Sequence, residues 1–272
     1  QLSGGVCSFG PRALWVLFLA PDGTVQSQRK LSATAPGFPA DAGSCVRFGS
    51  SLANLGDVDG DGLPDLAVGS LFDADAGPLL GAVHVLFLET DGSIRASQKI
   101  STVAGGFGGS LTFGDDFAAS LAAPGDVNGD GTPDLIVGAP GDGAGAAWVL
   151  FLQPDGTVGS HAKLSASTGN VQGLTGLDLF GASLASAGDL DGDGVGDVVV
   201  GMPGRTAPGF VTQAGAALVL FLEADGSVRQ QQLLFDAVGQ LGIEPLAGDE
   251  LGRAAALGDL DDDGRPELLL AS

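Results

Sequence analysis

The chain contains no tyrosine, one methionine, two tryptophans and two cysteines, and only 11 of its 272 residues are Lys or Arg. Each scarcity removes a class of function. Against 33 acidic residues the net charge is −22. Nucleic acid is therefore excluded as a partner, because phosphate recognition needs a basic surface, and an anionic membrane surface is disfavoured for the same reason. Long apolar runs are missing too. The longest, ALWVLFLA at 13–20, falls far short of the roughly 20 residues of a spanning helix, so no membrane insertion is expected. No signal peptide is visible, which reads as a mature or trimmed chain. A carbohydrate-binding, lectin-like module stays as the alternative to a protein-binding one, although the shortage of aromatics argues against it, since sugar sites generally want exposed aromatic platforms. Cys7 and Cys45 either form a disulfide in an oxidising compartment or remain two buried thiols. Their spacing with His84 and His161 matches no zinc motif.

Glycine is abundant, with 47 residues, and 44% of the chain is hydrophobic in short regular runs, a pattern unlike that of a disordered segment. Two markers repeat. The acidic segments GDVDGDGLPD (56–65), GDVNGDGTPD (125–134), GDLDGDGVGD (188–197) and GDLDDDGRPE (258–267) begin their loops at Asp57, Asp126, Asp189 and Asp259, in steps of 69, 63 and 70 residues. The segments VLFLAPDGTV, VLFLETDGSI, VLFLQPDGTV and VLFLEADGSV place a turn aspartate at Asp22, Asp91, Asp155 and Asp225, in steps of 69, 64 and 70. Two markers in register define a structural repeat.

Within a repeat the pattern is β throughout. Residues 48–101 read as FGSSLANLGD, the acidic loop, a short apolar DLAVGS, a Gly/Pro connection, GAVHVLFLE, a TDG turn and the alternating SIRASQKIS. That makes four strands, with the turn glycine supplying a positive φ. Repeated four-stranded antiparallel units point to an all-β propeller; a β-sandwich is the rival, but sandwich strands do not usually repeat a loop sequence at a fixed beat. The expected domain is a single propeller over 1–272, with blades near 48–101, 117–165, 180–234, and 251–272 joined with 11–31. The last blade combines an N-terminal outer half with a C-terminal inner half, which leaves no open edge strand. The ring then closes either as four blades in one chain or as an eight-bladed two-fold dimer.

Four like charges in one short loop repel unless a cation compensates them. Counting from the first aspartate, oxygen-bearing side chains stand at positions 1, 3, 5 and 9: Asp57, Asp59, Asp61 and Asp65; Asp126, Asn128, Asp130 and Asp134; Asp189, Asp191, Asp193 and Asp197; Asp259, Asp261, Asp263 and Glu267. Glycine at position 6 permits the turn, and position 7 (Leu63, Thr132, Val195, Arg265) can offer a backbone carbonyl. Hard oxygen donors in a flexible loop suit Ca²⁺, up to four ions per chain. An EF-hand would need a bidentate Glu at position 12, where this chain has Val68, Val137, Val200 and Leu270. These positions hold 15 of the 33 acidic residues, and the other 18 against 11 bases leave only −7. The fourth loop departs most, with Asp262 in place of glycine, Glu267 in place of aspartate, and Arg265 nearby.

The segments FGSSLANLGDVDGDGLPDLAVGS, FAASLAAPGDVNGDGTPDLIVGAP and FGASLASAGDLDGDGVGDVVVGMP resemble FG-GAP repeats, the blades of the integrin alpha-subunit propeller, and LGRAAALGDLDDDGRPELLLAS is a degenerate copy. The resemblance implies a β-propeller with calcium between the first two strands of each blade, an extracellular or cell-surface setting, and adhesion, protein recognition or an accessory role beside a separate enzyme domain. It also implies seven blades, whereas this chain supplies four. A blade of a seven-fold ring turns about 51°, nearer the about 45° of eight blades than the about 90° of four, which favours the dimer.

Catalysis is not expected. His84 occupies the position of Trp15, Trp148 and Leu218 in the other copies, so its slot serves packing or surface, and His161 sits in a polar outer strand. No Ser-His-Asp constellation and no phosphate-binding glycine motif is present. A glycosidase carboxylate pair is a poorer use of repeated aspartates than metal. The outlying segments 201–210 and 38–45 do not look catalytic. Recognition is expected in the connections at 71–80, 102–116, 166–179 and 202–214, which differ from copy to copy.

Overall fold

The computed structural model describes residues 13–42, 46–75, 77, 79–206, 214–234, 248–258, 260–261 and 267–271. Cys7, Cys45, Asp259, Asp263 and Arg265 lie outside the described residues. The protein is all-β, with sixteen strands described. Three complete antiparallel sheets follow one another. The first contains β3 (Phe48–Gly56), β4 (Asp65–Ser70), β5 (Ala82–Leu88) and β6 (Ile94–Ile100). The second contains β7 (Leu121–Gly125), β8 (Asp134–Ala139), β9 (Ala146–Leu152) and β10 (Val158–Leu164). The third contains β11 (Ser183–Gly188), β12 (Asp197–Met202), β13 (Ala216–Leu222) and β14 (Val228–Leu234). In each, strand order follows the chain, which is the arrangement of a propeller blade.

Two hairpins flank this series: β1 (Ala13–Leu19) with β2 (Val25–Ser32), and β15 (Arg253–Gly258) with β16 (Glu267–Ala271). They form separate two-stranded sheets. The terminal blade expected from 251–272 and 11–31 is thus not joined within the single chain, among the described residues. Packing explains the separation. The innermost strands contact one another in the order β3, β7, β11, β15, while β1 lies against β3, so the two hairpins attach to opposite ends of the series.

Period-2 alternation decides the core. Ala67, Val83, Val85 and Phe87 of the first blade meet Leu135, Val137, Trp148 and Leu150 of the second. The other face of that second blade, Ile136, Val149 and Phe151, meets Val198, Val200, Leu218 and Leu220 of the third. Central strands are therefore buried on both faces, which is why they read as unbroken apolar runs.

The blades are also fastened at one recurring point. Ser51 Oγ donates to the Ala118 carbonyl at 2.8 Å, Ser120 Oγ to Gly181 at 2.7 Å and Ser183 Oγ to Gly252 at 2.6 Å. Each serine belongs to the opening strand region of one blade and each carbonyl to the same region of the next. Gly69, Gly138 and Gly201 lie at the crossing: a Cβ on Gly138 would stand 2.1 Å from the Gly181 oxygen, and one on Gly201 would stand 1.6 Å from the Gly252 oxygen. No side chain fits there, so glycine is required by contact between backbones.

Candidate metal centre

Among the described residues, three acidic loops are each organised by their own first aspartate. Asp57 Oδ1 accepts from the amides of Gly60 (2.8 Å) and Asp61 (3.0 Å), and Oδ2 from Gly62 (2.9 Å). Asp126 receives Gly129, Asp130 and Gly131 at 2.8, 3.1 and 2.7 Å. Asp189 receives Gly192, Asp193 and Gly194 at 2.7, 3.0 and 2.8 Å. The position-6 glycines carry φ of 88°, 94° and 92° (Gly62, Gly131, Gly194), a region other residues enter at a cost. The fifth-position carboxylates take the amides of the position-7 residues: Asp61 from Leu63 at 2.8 Å, Asp130 from Thr132 at 2.9 Å and Asp193 from Val195 at 2.8 Å.

The ninth position does something different. Asp65, Asp134 and Asp197 are buried, at 1%, 0% and 0% exposure, whereas most of each loop is open to solvent. Oδ2 of each accepts from the second loop residue: Val58 at 3.0 Å, Val127 at 2.9 Å and Leu190 at 2.9 Å. Oδ1 accepts from the end of the third strand: Leu88 at 3.4 Å, Leu152 at 3.0 Å and Leu222 at 3.2 Å. Burial raises the pKa of all three, that of Asp134 to about 6. Both oxygens of this residue are engaged by the fold, so it anchors the loop to its sheet. Of the fourth loop, Asp261 and Glu267 are described, and Glu267 Oε2 accepts from the Leu260 amide, matching the Asp65–Val58 contact.

Among the described residues, Asp57, Asp59 and Asp61 each bring a carboxylate oxygen within 4.8 Å of the other two, and Asp189, Asp191 and Asp197 do the same. The donors are all hard oxygens, with no nitrogen or sulfur among them, which fits Ca²⁺ better than a transition metal. The second loop is built alike but contains Asn128, whose Oδ1 accepts from Asp130 at 2.9 Å.

Asp41, Asp73 and His84 form a further cluster, but its cation is built in. Lys99 Nζ lies 2.6 Å from Asp41, 2.9 Å from Asp73 and 2.9 Å from Asp75. His84 is buried, its ring edge-on to Phe48 at 5.4 Å, which makes it a packing residue. His161 is exposed at the side of Trp148. Two residues escaped the sequence reading: Arg95 and Arg229, which reach Asp59 and Asp191. The signal was the contrast of DGSIR and DGSVR with DGTVG and DGTVQ after otherwise equivalent turns.

Three segments, 48–86, 117–150 and 180–220, match the FG-GAP repeat. The chain is similar to integrin alpha-PS5 of Drosophila melanogaster, 32% identical over 161 residues that make up 59% of this chain and 15% of that protein. It is similar to integrin alpha-7 of Homo sapiens, 32% identical over 160 residues, 59% of this chain and 12% of that protein. Integrin alpha-5 of Xenopus laevis is 42% identical over 95 residues, 35% of this chain and 9% of that protein. The matches thus span a small fraction of the length of these curated relatives. Among the described residues no helix is long and apolar enough to cross a membrane.

Proposed function

We propose, on the premise that this chain carries FG-GAP repeats, that it is a non-catalytic, calcium-stabilised β-propeller unit over residues 1–272, serving adhesion or protein recognition outside the cell. The observation that supports it is the acidic loop itself, built three times to one plan. Its first carboxylate is oriented by three backbone amides and its last is buried under the sheet. The ions, up to four, are held by positions 1, 3 and 5, with the position-7 carbonyls of Leu63, Thr132, Val195 and Arg265 completing the shell and position 9 fixing the frame. Their role is structural. At calcium about ten times its dissociation constant each site adds roughly 1.4 kcal/mol by mass action.

Partner recognition falls to the connections between blades, whose sequences differ while the loops beneath them repeat. A second copy of the chain is a further partner. Trp15, Leu17 and Leu19 are 53%, 50% and 59% exposed, whereas their counterparts in the second blade, Trp148, Leu150 and Leu152, are 4%, 0% and 0% exposed. The β15–β16 hairpin of a second copy, laid beside β1 in the β8–β9 register, would complete a blade and bring the third blade of that copy over that row, as the first blade covers Trp148 and Leu150. It would also bring Glu267 to the Leu19 amide, as Asp134 meets Leu152.

The test is thermal melting of the purified chain in millimolar calcium and in chelator, with metal content measured after dialysis. A large calcium-dependent rise with retained ions is expected; no shift and no retained metal would overturn the reading.

A further inference from the structure

The described loops differ in charge, and their surroundings differ in step. Loops 57–65 and 189–197 carry four carboxylates each, while 126–134 carries three, because Asn128 stands at its third position. Above the first loop Arg95 contacts Asp59, lies 3.1 Å from Asp61 Oδ2, and places Nε 3.9 Å from Glu89. Above the third loop Arg229 contacts Asp191, lies 2.7 Å from Asp193 Oδ2, and places Nε 3.8 Å from Glu223. The corresponding residue above the second loop is Gly159. There Asp130 Oδ2 accepts instead from the neutral Asn128 Nδ2 at 2.9 Å.

All three residues occupy the same bulge. Leu88 pairs with Ile94 and Phe87 with Ala96, so the ladder passes over Arg95; it passes over Gly159 and Arg229 likewise. A bulge releases one residue from strand alternation and re-aims its side chain, here across the loop. With the arginine counted, each of the three loops carries a net charge of −3.

We propose that Arg95 and Arg229 are built-in counter-cations that set the calcium affinity of the first and third loops below that of the second. This rests on the calcium reading above. In the first loop Asp59 Oδ1 and Asp61 Oδ1 are taken by the amides of Asp61 and Leu63. The guanidinium holds the Oδ2 atoms, which are the oxygens left for a cation. An ion entering this loop, or the third, must share or displace the arginine, while the second loop offers only a neutral amide as competitor. The arginine side chains are 41% and 39% exposed, so each pair is screened and weak enough to yield.

The test is calorimetric titration of calcium into the metal-free full chain at low ionic strength. Wild type is compared with the Arg95→Gln/Arg229→Gln double variant and with Gly159→Arg. The nearest atoms to a Cβ at Gly159 belong to the flexible side chain of Gln153, with Nε2 at 2.6 Å. The double variant is expected to tighten two sites roughly ten-fold, about 1.4 kcal/mol each, at unchanged stoichiometry. Gly159→Arg should weaken one site by a similar factor. In chelator the double variant should melt below wild type, because acidic loops lose their counter-charge. Calcium bound by the double variant with unchanged or weaker affinity would overturn the proposal and leave the calcium reading intact. A wild type that binds no calcium would overturn both.

Discussion

Asp134 and Leu152 are joined by a 3.0 Å hydrogen bond from the Leu152 amide to Oδ1, although one residue closes an acidic loop and the other ends a strand 18 positions later. The second oxygen of the same carboxylate holds Val127 at 2.9 Å. Asp134→Ala strands two buried amides at once. Each orphaned group costs about 1–3 kcal/mol, so the variant should lose roughly 2–6 kcal/mol of stability in calcium-free buffer. Urea denaturation in chelator reads this directly; a wild-type midpoint would mean that the amides find other partners.

The fastening between blades is separable from the loops. Ser120→Ala removes the bond to the buried Gly181 carbonyl and should cost about 1–2 kcal/mol. Gly201→Ala should cost more, above about 3 kcal/mol, because its Cβ would overlap the Gly252 oxygen. Thermal melts of the two variants should rank in that order, and equal losses would argue against the steric reading of the glycine.

His84 gives the acid limb of stability a recognisable component. Burial lowers its pKa to about 4 from 6.5, opposed by the nearby Asp41 carboxylate. A depressed folded pKa means the stabilisation is complete above pH 6.5 and is lost as pH falls through 4. The loss reaches up to about 3 kcal/mol. His84→Leu installs the residue that the third repeat uses at Leu218 and should flatten this limb. Comparing unfolding free energies of wild type and variant at pH 7 and pH 4 isolates the difference.

The self-association proposed above predicts a concentration-dependent mass. Sedimentation of the wild type should show a two-chain species, and Leu17→Asp, on the exposed row of β1, should abolish it without lowering the melting temperature of the monomer. A monomeric wild type at high concentration would remove the second copy as a partner.

The sheets were legible because repetition supplies its own control: four copies of VLFL before a turn aspartate fix strand, turn and spacing together. The first loop aspartates were equally plain. What the sequence concealed is the division of labour within the loop. Asp57 and Asp65 look alike as letters, yet one faces solvent and the other is sealed against Leu88, because only folding brings the third strand over the ninth position. The arginines were hidden for a related reason. An alternating strand would point Arg95 elsewhere, and the bulge that aims it at Asp59 is not written in local composition. Serine at 51, 120 and 183 reads as a small polar residue until the neighbouring blade supplies its carbonyl.

That last contact also fixes curvature. Three successive joints share one serine, one glycine and one carbonyl, so they are set to the same pitch, like links cut from one die. The fourth copy breaks the pattern at both places: Arg253 faces Ala271 where Ser183 faces Gly201, so neither the serine hydroxyl nor the glycine is present. A joint formed beyond it would lack both the hydroxyl tie and the glycine that admits the neighbouring backbone. Under tension, that seam would part before any other.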